Sequence, residues 1–296
     1  MKPIVRPIRL FHSELGYVVD EEGLPVVDYG RRLGKKVGRK RNPVLMGIVG
    51  LKATQSSSLV GLPEFDRTGN DILPHIRVER MARWLLDSSI DRGSYMVYHL
   101  DFPWPEYLLK PPWRSCLAEA FSGMFLVAWG TVRKDERYVD CGLKHIRSLL
   151  VPVSKGGLKS DHSNVFLEYT GYERRKRWPL VLNGHLYSLV TLFTAWKMLG
   201  IEEFGGVFEQ AIAELEGFLP VFEGPFFTYY DDLGNPAKLF YHQIHVHLLE
   251  RLYALTGLPY LRATANEWRG ISRRYNFALA LLMRAFTMRI PYVPRR

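Results

Sequence analysis

The sequence predicts a mainly α-helical fold, an α/α toroid formed as an incomplete ring of helical hairpins. Short β-hairpins are expected in the N-terminal region and in the connecting segments. Three observations lead there. From Asn42 onward, apolar residues recur at helical spacing over successive stretches of ~15–20 residues. Most of those stretches fall into pairs joined by tight turns. Between the pairs lie longer segments rich in aromatics, which a ring of hairpins gathers at one end, around a cleft.

Taken in order, Tyr17 to Tyr29 reads as a β-hairpin whose acidic turn contains Gly23. The basic stretch from Arg31 to Arg41, broken by Gly34 and Gly38, reads as a solvated loop, with a binding patch as the alternative. Pro43 to Thr54 starts the helices with Asn42 as cap. Asp71 to Ser89 carries apolar residues at Ile72, Ile76, Met81, Trp84 and Leu85 and is expected to be helical. The hairpins are Ser115–Val132 with Glu136–Leu150, Val181–Leu199 with Glu202–Leu219, and Lys238–Thr256 with Tyr260–Met283. The division is therefore residues 1–41 as an extended N-terminal segment and 42–296 as the toroid domain. No solenoid repeat is visible.

Composition narrows the function classes. Hydrophobic residues make up 47% of the chain, enough for a sizeable core. No stretch approaches the ~20 apolar residues of a membrane-spanning helix, and the start of the chain does not read as a signal peptide. A soluble, by default cytoplasmic, protein is expected. Cys116 and Cys141 read as core residues, with a single bridge between them as the alternative. Nothing suggests a cofactor. A net charge of +10 favours a polyanionic partner. No nucleic-acid recognition motif accompanies that charge, so nucleic acid is not the expected partner.

Two stretches carry the chemistry. Asn164-Val165-Phe166-Leu167-Glu168-Tyr169-Thr170 is followed by Val181-Leu182-Asn183-Gly184-His185-Leu186-Tyr187-Ser188-Leu189. Later, Phe227-Thr228-Tyr229-Tyr230-Asp231-Asp232 leads to Tyr241-His242-Gln243-Ile244-His245. These resemble the D-glucuronyl C-5 epimerase family, whose catalytic domain carries Glu-Tyr, then Val-Leu-Asn-Gly-x-x-Tyr-Ser-Leu, then Tyr-His-x-x-His. Upstream, Asn42-Pro43-Val44 and Pro112-Trp113-Arg114-Ser115 resemble further family segments in the same order. The likeness runs from about Gly23 to Leu255.

The resemblance implies an α/α toroid isomerase that inverts carbon 5 of glucuronate, giving iduronate, within an acidic polysaccharide or other uronate-containing glycan. It also suggests a homodimer. Carbon 5 lies α to a carboxylate, so its proton needs a base, and the enolate that forms needs donors or positive charge. Inversion is simplest with one proton-accepting and one proton-donating group on opposite ring faces. By motif, Glu168, Tyr169, Tyr230 and Tyr241 take the catalytic places, with Glu168 or Tyr169 on one face and Tyr241 or Tyr230 on the other. Asn183, Tyr187, His242, His245, Trp113 and Arg114 are the expected substrate contacts. This chain has Leu233 where the family has an arginine, and Lys238 or the run Arg174 to Arg177 is the candidate replacement, Arg177 included. Arg41, Arg114, Glu119 and Phe121 also depart from the family pattern.

Blander accounts exist for each residue. Glu168 alone reads as a surface position on a strand, and Asn183-Gly184 as a helix start. His242 and His245 share a helical face, but Gln243 stands where a zinc-protease motif needs glutamate, and no third ligand is evident. No metal is assigned, and these histidines are expected to orient tyrosines or meet sugar hydroxyls. The competing functions are a polysaccharide lyase or uronyl hydrolase on a similar toroid, and an inactive glycan-binding protein.

Overall fold

The structure is a computed structural model, describing residues 16–173, 175 and 177–274. It opens with β1 (Gly16–Val19) and β2 (Pro25–Asp28), antiparallel partners in the register Tyr17↔Val27 and Val18↔Val26. The stretch expected to be a solvated loop is instead structured. A small hairpin, β3 (Arg31–Arg32) with β4 (Lys35–Lys36), leads into β5 (Arg39–Arg41), which pairs with β2 as the third strand of the first sheet. Val37 between them is buried. Lysine and arginine stems tolerate a solvent-facing strand, which allows this. Arg41 is held by Asp20 and Glu22 of the β1–β2 turn, at 2.7 and 2.8 Å.

Eight helices follow among the described residues: α1 (Pro43–Ala53), α2 (Val78–Asp87), α3 (Cys116–Arg133), α4 (Glu136–Arg147), α5 (Leu182–Leu199), α6 (Glu202–Phe218), α7 (Leu239–Thr256) and α8 (Pro259–Arg274). A two-stranded ribbon, β6 (Ile90–Asp91) with β7 (Met96–Val97), follows α2. Asn42 caps α1, its side chain accepting the Val44 N–H at 2.7 Å, with Pro43 in the first turn. Gly200 and Gly257 end α5 and α7 in the left-handed conformation that glycine adopts freely. The helix expected over Asp71–Ser89 is shorter than its apolar pattern. Pro74 holds Asn70–His75 as a 3₁₀ turn and Ile76 is extended, so α2 starts only at Val78. The expected extension of α8 to Met283 lies outside the described residues.

The helices form two layers. α1, α3, α5 and α7 contact one another in sequence as the inner row, while α4, α6 and α8 pack outside α3, α5 and α7. Burial follows the layers: α3 and α5 are covered on nearly all sides, whereas α4 and α6 bury one stripe. This is the incomplete α/α toroid. Leu24, Val27 and Tyr29 of the N-terminal sheet lie in the same apolar cluster as the helices. Cys116 and Cys141 are both buried free thiols, so they make no bridge. No described helix is long and apolar enough to cross a membrane.

Two features fix the inner layer. Glu119 of α3 is fully buried, accepts the Tyr98 N–H at 2.8 Å and pairs with buried His145 of α4, tying three segments together. α1 and α3 approach closely at Gly47, where an added Cβ would sit 2.5 Å from the Ser122 nitrogen. The two helix backbones have no room to separate in a packed core. We therefore expect Gly47→Ala to destabilise the fold by about 1–3 kcal/mol, the usual cost of overpacking. Gly206→Ala on the outer helix α6, where a Cβ meets nothing within 4 Å, should stabilise by about 0.5–1 kcal/mol through helix propensity. Thermal midpoints moving in opposite directions check the pair.

Candidate active site

The inner helices start at one end of the toroid, and the segments that precede them are laced together there. The segment before α3 bridges the one before α5 through Arg114 and Thr170, with backbone bonds of 2.8 and 3.1 Å. The segment before α5 bridges the one before α7 through Val181 and Asp231. Positive ends of helix dipoles thus face this end of the molecule.

Glu168 lies on the central strap, 4% exposed. Its carboxylate rests on the first turn of α5, because residue 184 is glycine: a Cβ there would come within 2.9 Å of Glu168 Cβ and Oε2. Asn183 Nδ2 donates to Glu168 Oε2 at 3.2 Å, and the Tyr230 hydroxyl donates to Oε1 at 3.1 Å. The Tyr169 and Tyr230 hydroxyls are 3.3 Å apart. The Tyr241 ring stands edge-on to Tyr230, centroids 4.9 Å apart. Glu168, Tyr169, Tyr230, Tyr241 and Asn183, separated widely in sequence, are therefore gathered into one cluster.

Electrostatics sort these groups. Burial pushes Glu168 up from 4.5 to about 7, against hydrogen bonds from Tyr169, Tyr230 and Asn183 that pull it down. Burial, with the Glu168 charge next, drives Tyr169, Tyr230 and Tyr241 upward. Near neutrality the three phenols are thus proton donors, and Glu168 is poised between acid and base.

Aromatic rings support the cluster from below. Tyr169 stacks on Tyr107 at 4.7 Å and on Trp104 at 6.0 Å, and its ring lies 5.7 Å from that of Trp113. Trp113 is buried and gives its indole N–H to the Phe102 carbonyl. Tyr107 donates to Asp231 Oδ2 at 2.5 Å, locking the turn after Tyr230. Tyr187, one turn beyond Asn183, is buried edge-on to Phe121, and its hydroxyl has no hydrogen-bond partner, nor has Asn183 Oδ1.

Other candidate residues stand elsewhere. His242 and His245 are buried one layer behind, each directing Nδ1 at Thr228: His242 accepts its N–H at 3.2 Å and His245 meets its hydroxyl at 2.8 Å. They fix the strap that carries Tyr230. Burial keeps both neutral. Arg114 turns away from Glu168, donating to the Gly171 carbonyl at 3.0 Å beneath the Tyr172 ring. Arg177 is largely exposed and pairs with Asp232 at 3.0 Å. Arg175 holds the carbonyls of Tyr107 and Leu108. Lys238 is the half-buried residue before α7. Arg174 and Lys176 lie outside the described residues. Arg41 and Glu119, departures in sequence, are engaged away from the cluster, and Leu233 is exposed at its rim.

Sequence reasoning missed Tyr107 and Asp231 as a buried pair, and missed Arg32. The Arg32 guanidinium lies 4.7 Å over the Trp104 ring and 2.7 Å from Glu106. No local pattern in the sequence singles it out from the other basic residues of that stretch.

Comparison with known proteins agrees with this architecture. Residues 92–270, more than half of the chain, match the family described as D-glucuronyl C5-epimerase C-terminus. The chain is 26% identical over 211 residues to a D-glucuronyl C5-epimerase of Caenorhabditis elegans, a match that covers 64% of this chain and 34% of that enzyme, about a third of its length. It is 23% identical over 277 residues to an uncharacterized protein of Methanocaldococcus jannaschii, covering 88% of this chain and 87% of the relative. Among solved structures, a family 76 α-mannanase of Bacteroides thetaiotaomicron has a similar fold, with TM-score 0.51 and 9% identity over 82% of this chain and 60% of that one. A family 76 glycoside hydrolase from a bovine strain of that species has TM-score 0.52 and 12% identity over 82% of this chain and 49% of the other. The chain is an α/α-toroid protein of the D-glucuronyl C5-epimerase C-terminus family, a family of carbohydrate-active enzymes.

Proposed function

We propose that this protein inverts carbon 5 of hexuronate residues in an acidic glycan, with Glu168 as the proton acceptor and Tyr241 as the donor on the opposite ring face. One observation carries the reading. Glu168 is a buried carboxyl whose ionisation falls near neutrality, hydrogen-bonded to Tyr230 and Asn183 and ringed by phenols that stay protonated. That is the tuning a general base for a carbon acid needs.

The step balances between the cluster and solvent. The carbon-5 hydrogen leaves as a proton to Glu168, and its electron pair moves into the uronate carboxylate as an enolate. Tyr169, Tyr230 and Asn183 are the hydrogen-bond donors close to the developing charge. Tyr241 then protonates carbon 5 from the other side; Glu168 releases its proton to solvent and Tyr241 recovers one from it. No redox partner or metal is required by this balance. A lyase shares the first step but expels the substituent at carbon 4, leaving a double bond.

In heavy water, the protein should place deuterium at carbon 5 of a polyuronate and generate iduronate, without the ultraviolet-absorbing unsaturated ends that a lyase makes. If chains of alternating glucuronate and N-acetylglucosamine, together with other common polyuronates, gave neither exchange nor iduronate, the reading would be wrong. Glu168→Gln and Tyr241→Phe should each lower kcat by about 10²–10⁴-fold, the range of a lost acid or base, while binding persists. Unchanged turnover in both removes the assignment.

The pH dependence has a definite sign. Glu168 must be ionised to accept a proton, so kcat/KM should rise with pH through about 7. Stability moves the other way. The folded value lies above the ordinary 4.5, so the penalty is absent below that pH, grows between the two values and is complete above about 7. At pH 8 it amounts to as much as about 3 kcal/mol. Glu168→Gln should therefore raise the thermal midpoint at pH 8 and leave it nearly unchanged at pH 4. Equal shifts at both pH values would show that the carboxyl titrates normally.

A further inference from the structure

The proposed reaction asks for positive charge beside the uronate carboxylate, whereas among the described residues the hydrogen bonds to Glu168 come from phenols and an amide. Leu233 gives no charge at the rim. The structure brings a guanidinium from the opposite end of the sequence. The β3–β4 hairpin folds Arg32 over Trp104, 4.7 Å from the ring centroid, and Trp104 in turn stacks on Tyr169. Glu106, on the segment between Trp104 and Tyr107, holds Arg32 at 2.7 Å. The Arg32 charge is felt at Tyr29 and Tyr241, where it pulls against the effect of burial.

This arginine is ordered but not saturated. Its side chain keeps 22% exposure and that of Glu106 29%, so each group can be reached in part from outside, while the Arg32 Nε–H and Glu106 Oε2 are buried without partners. A guanidinium stacked on an indole and pinned by one carboxylate oxygen is pre-organised, so little side-chain entropy is lost when it meets a ligand. The neighbouring acid also decides which ligand fits. A bare anion meets repulsion from Glu106, whereas a sugar acid brings a carboxylate to Arg32 and a hydroxyl donor to Glu106.

We propose that Arg32, delivered by the β3–β4 hairpin and held by Glu106, binds the carboxylate of the reacting residue and so selects uronates over neutral sugars. This rests on the epimerase reading above and extends it to a named specificity determinant. The N-terminal hairpin is then part of the substrate site, and the departure at Leu233 is offset by a cation from another strand.

The test uses the full chain and two probes: an oligosaccharide of alternating glucuronate and N-acetylglucosamine, and its carboxyl-reduced counterpart, with glucose in place of glucuronate. Calorimetric Kd values are measured for both with the unsubstituted protein, Arg32→Gln, Arg32→Lys and Glu106→Gln, alongside deuterium exchange at carbon 5. We expect the unsubstituted protein to prefer the uronate probe, and Arg32→Gln to reduce that preference by about 10- to 100-fold, the worth of a charge-assisted bond. Arg32→Lys should recover part of it. Glu106→Gln should weaken both probes while keeping a preference for the acid. An unchanged preference in Arg32→Gln overturns the proposal. So does an equal loss for both probes with a lowered thermal midpoint, which marks Arg32 as a latch for the hairpin. Absence of exchange in the unsubstituted protein counts against the epimerase reading, while the preference ratio still judges Arg32.

Discussion

The contact between Glu168 and the first turn of α5 is the constraint on which the site depends. A carboxylate can be laid against a helix backbone only where the helix offers no side chain, and Gly184 is the residue that makes the space. Asn183 beside it supplies the amide that meets the carboxylate. One pair of residues thus lets the acid be buried and keeps it hydrogen-bonded, so its ionisation settles near neutrality instead of the group being driven fully neutral. The straps on either side, the aromatic floor and the histidine-bound Thr228 all act to keep Tyr169 and Tyr230 at that carboxylate.

Much of the fold was legible in the sequence, because helical periodicity and turn residues are local signals. The hairpins α3–α4, α5–α6 and α7–α8 lie within a residue or two of their expected bounds, apart from the part of α8 beyond Arg274 and the last residues before Leu150, which are 3₁₀. Where local signals competed, the expectation failed. Apolar spacing alone carried a helix through Pro74, but the missing amide hydrogen and fixed φ of proline ended it. Charge alone suggested that Arg31 to Arg41 was a loop, whereas β2 provided a free edge for pairing and Val37 a reason to fold back.

The site was legible only in part. Motif order led to Glu168, Tyr169, Tyr230, Tyr241 and Asn183, and these do converge. It could not say that Arg114 points across Thr170 to Tyr172, since alternate residues of an extended strap face opposite sides and the register was unknown. Nor could it say that His242 and His245 serve Thr228. Arg32, Glu106 and Tyr107 carry no distinctive local pattern. Their placement follows from how the N-terminal sheet and the segment before α3 pack against the straps, which is long-range information that one sequence does not display.

The straps have a consequence for how such a molecule reaches its working state. Tyr230 meets Glu168 across 62 positions of the chain, and Tyr107 meets Asp231 across 124. The helical hairpins are near neighbours in sequence and can assemble early and fast, but these pairings close large loops and come at greater entropic cost. The cluster is therefore the portion of the molecule whose completion reports that the whole chain has found its arrangement. A nascent or partly unfolded chain would hold most of its helices yet lack the cluster.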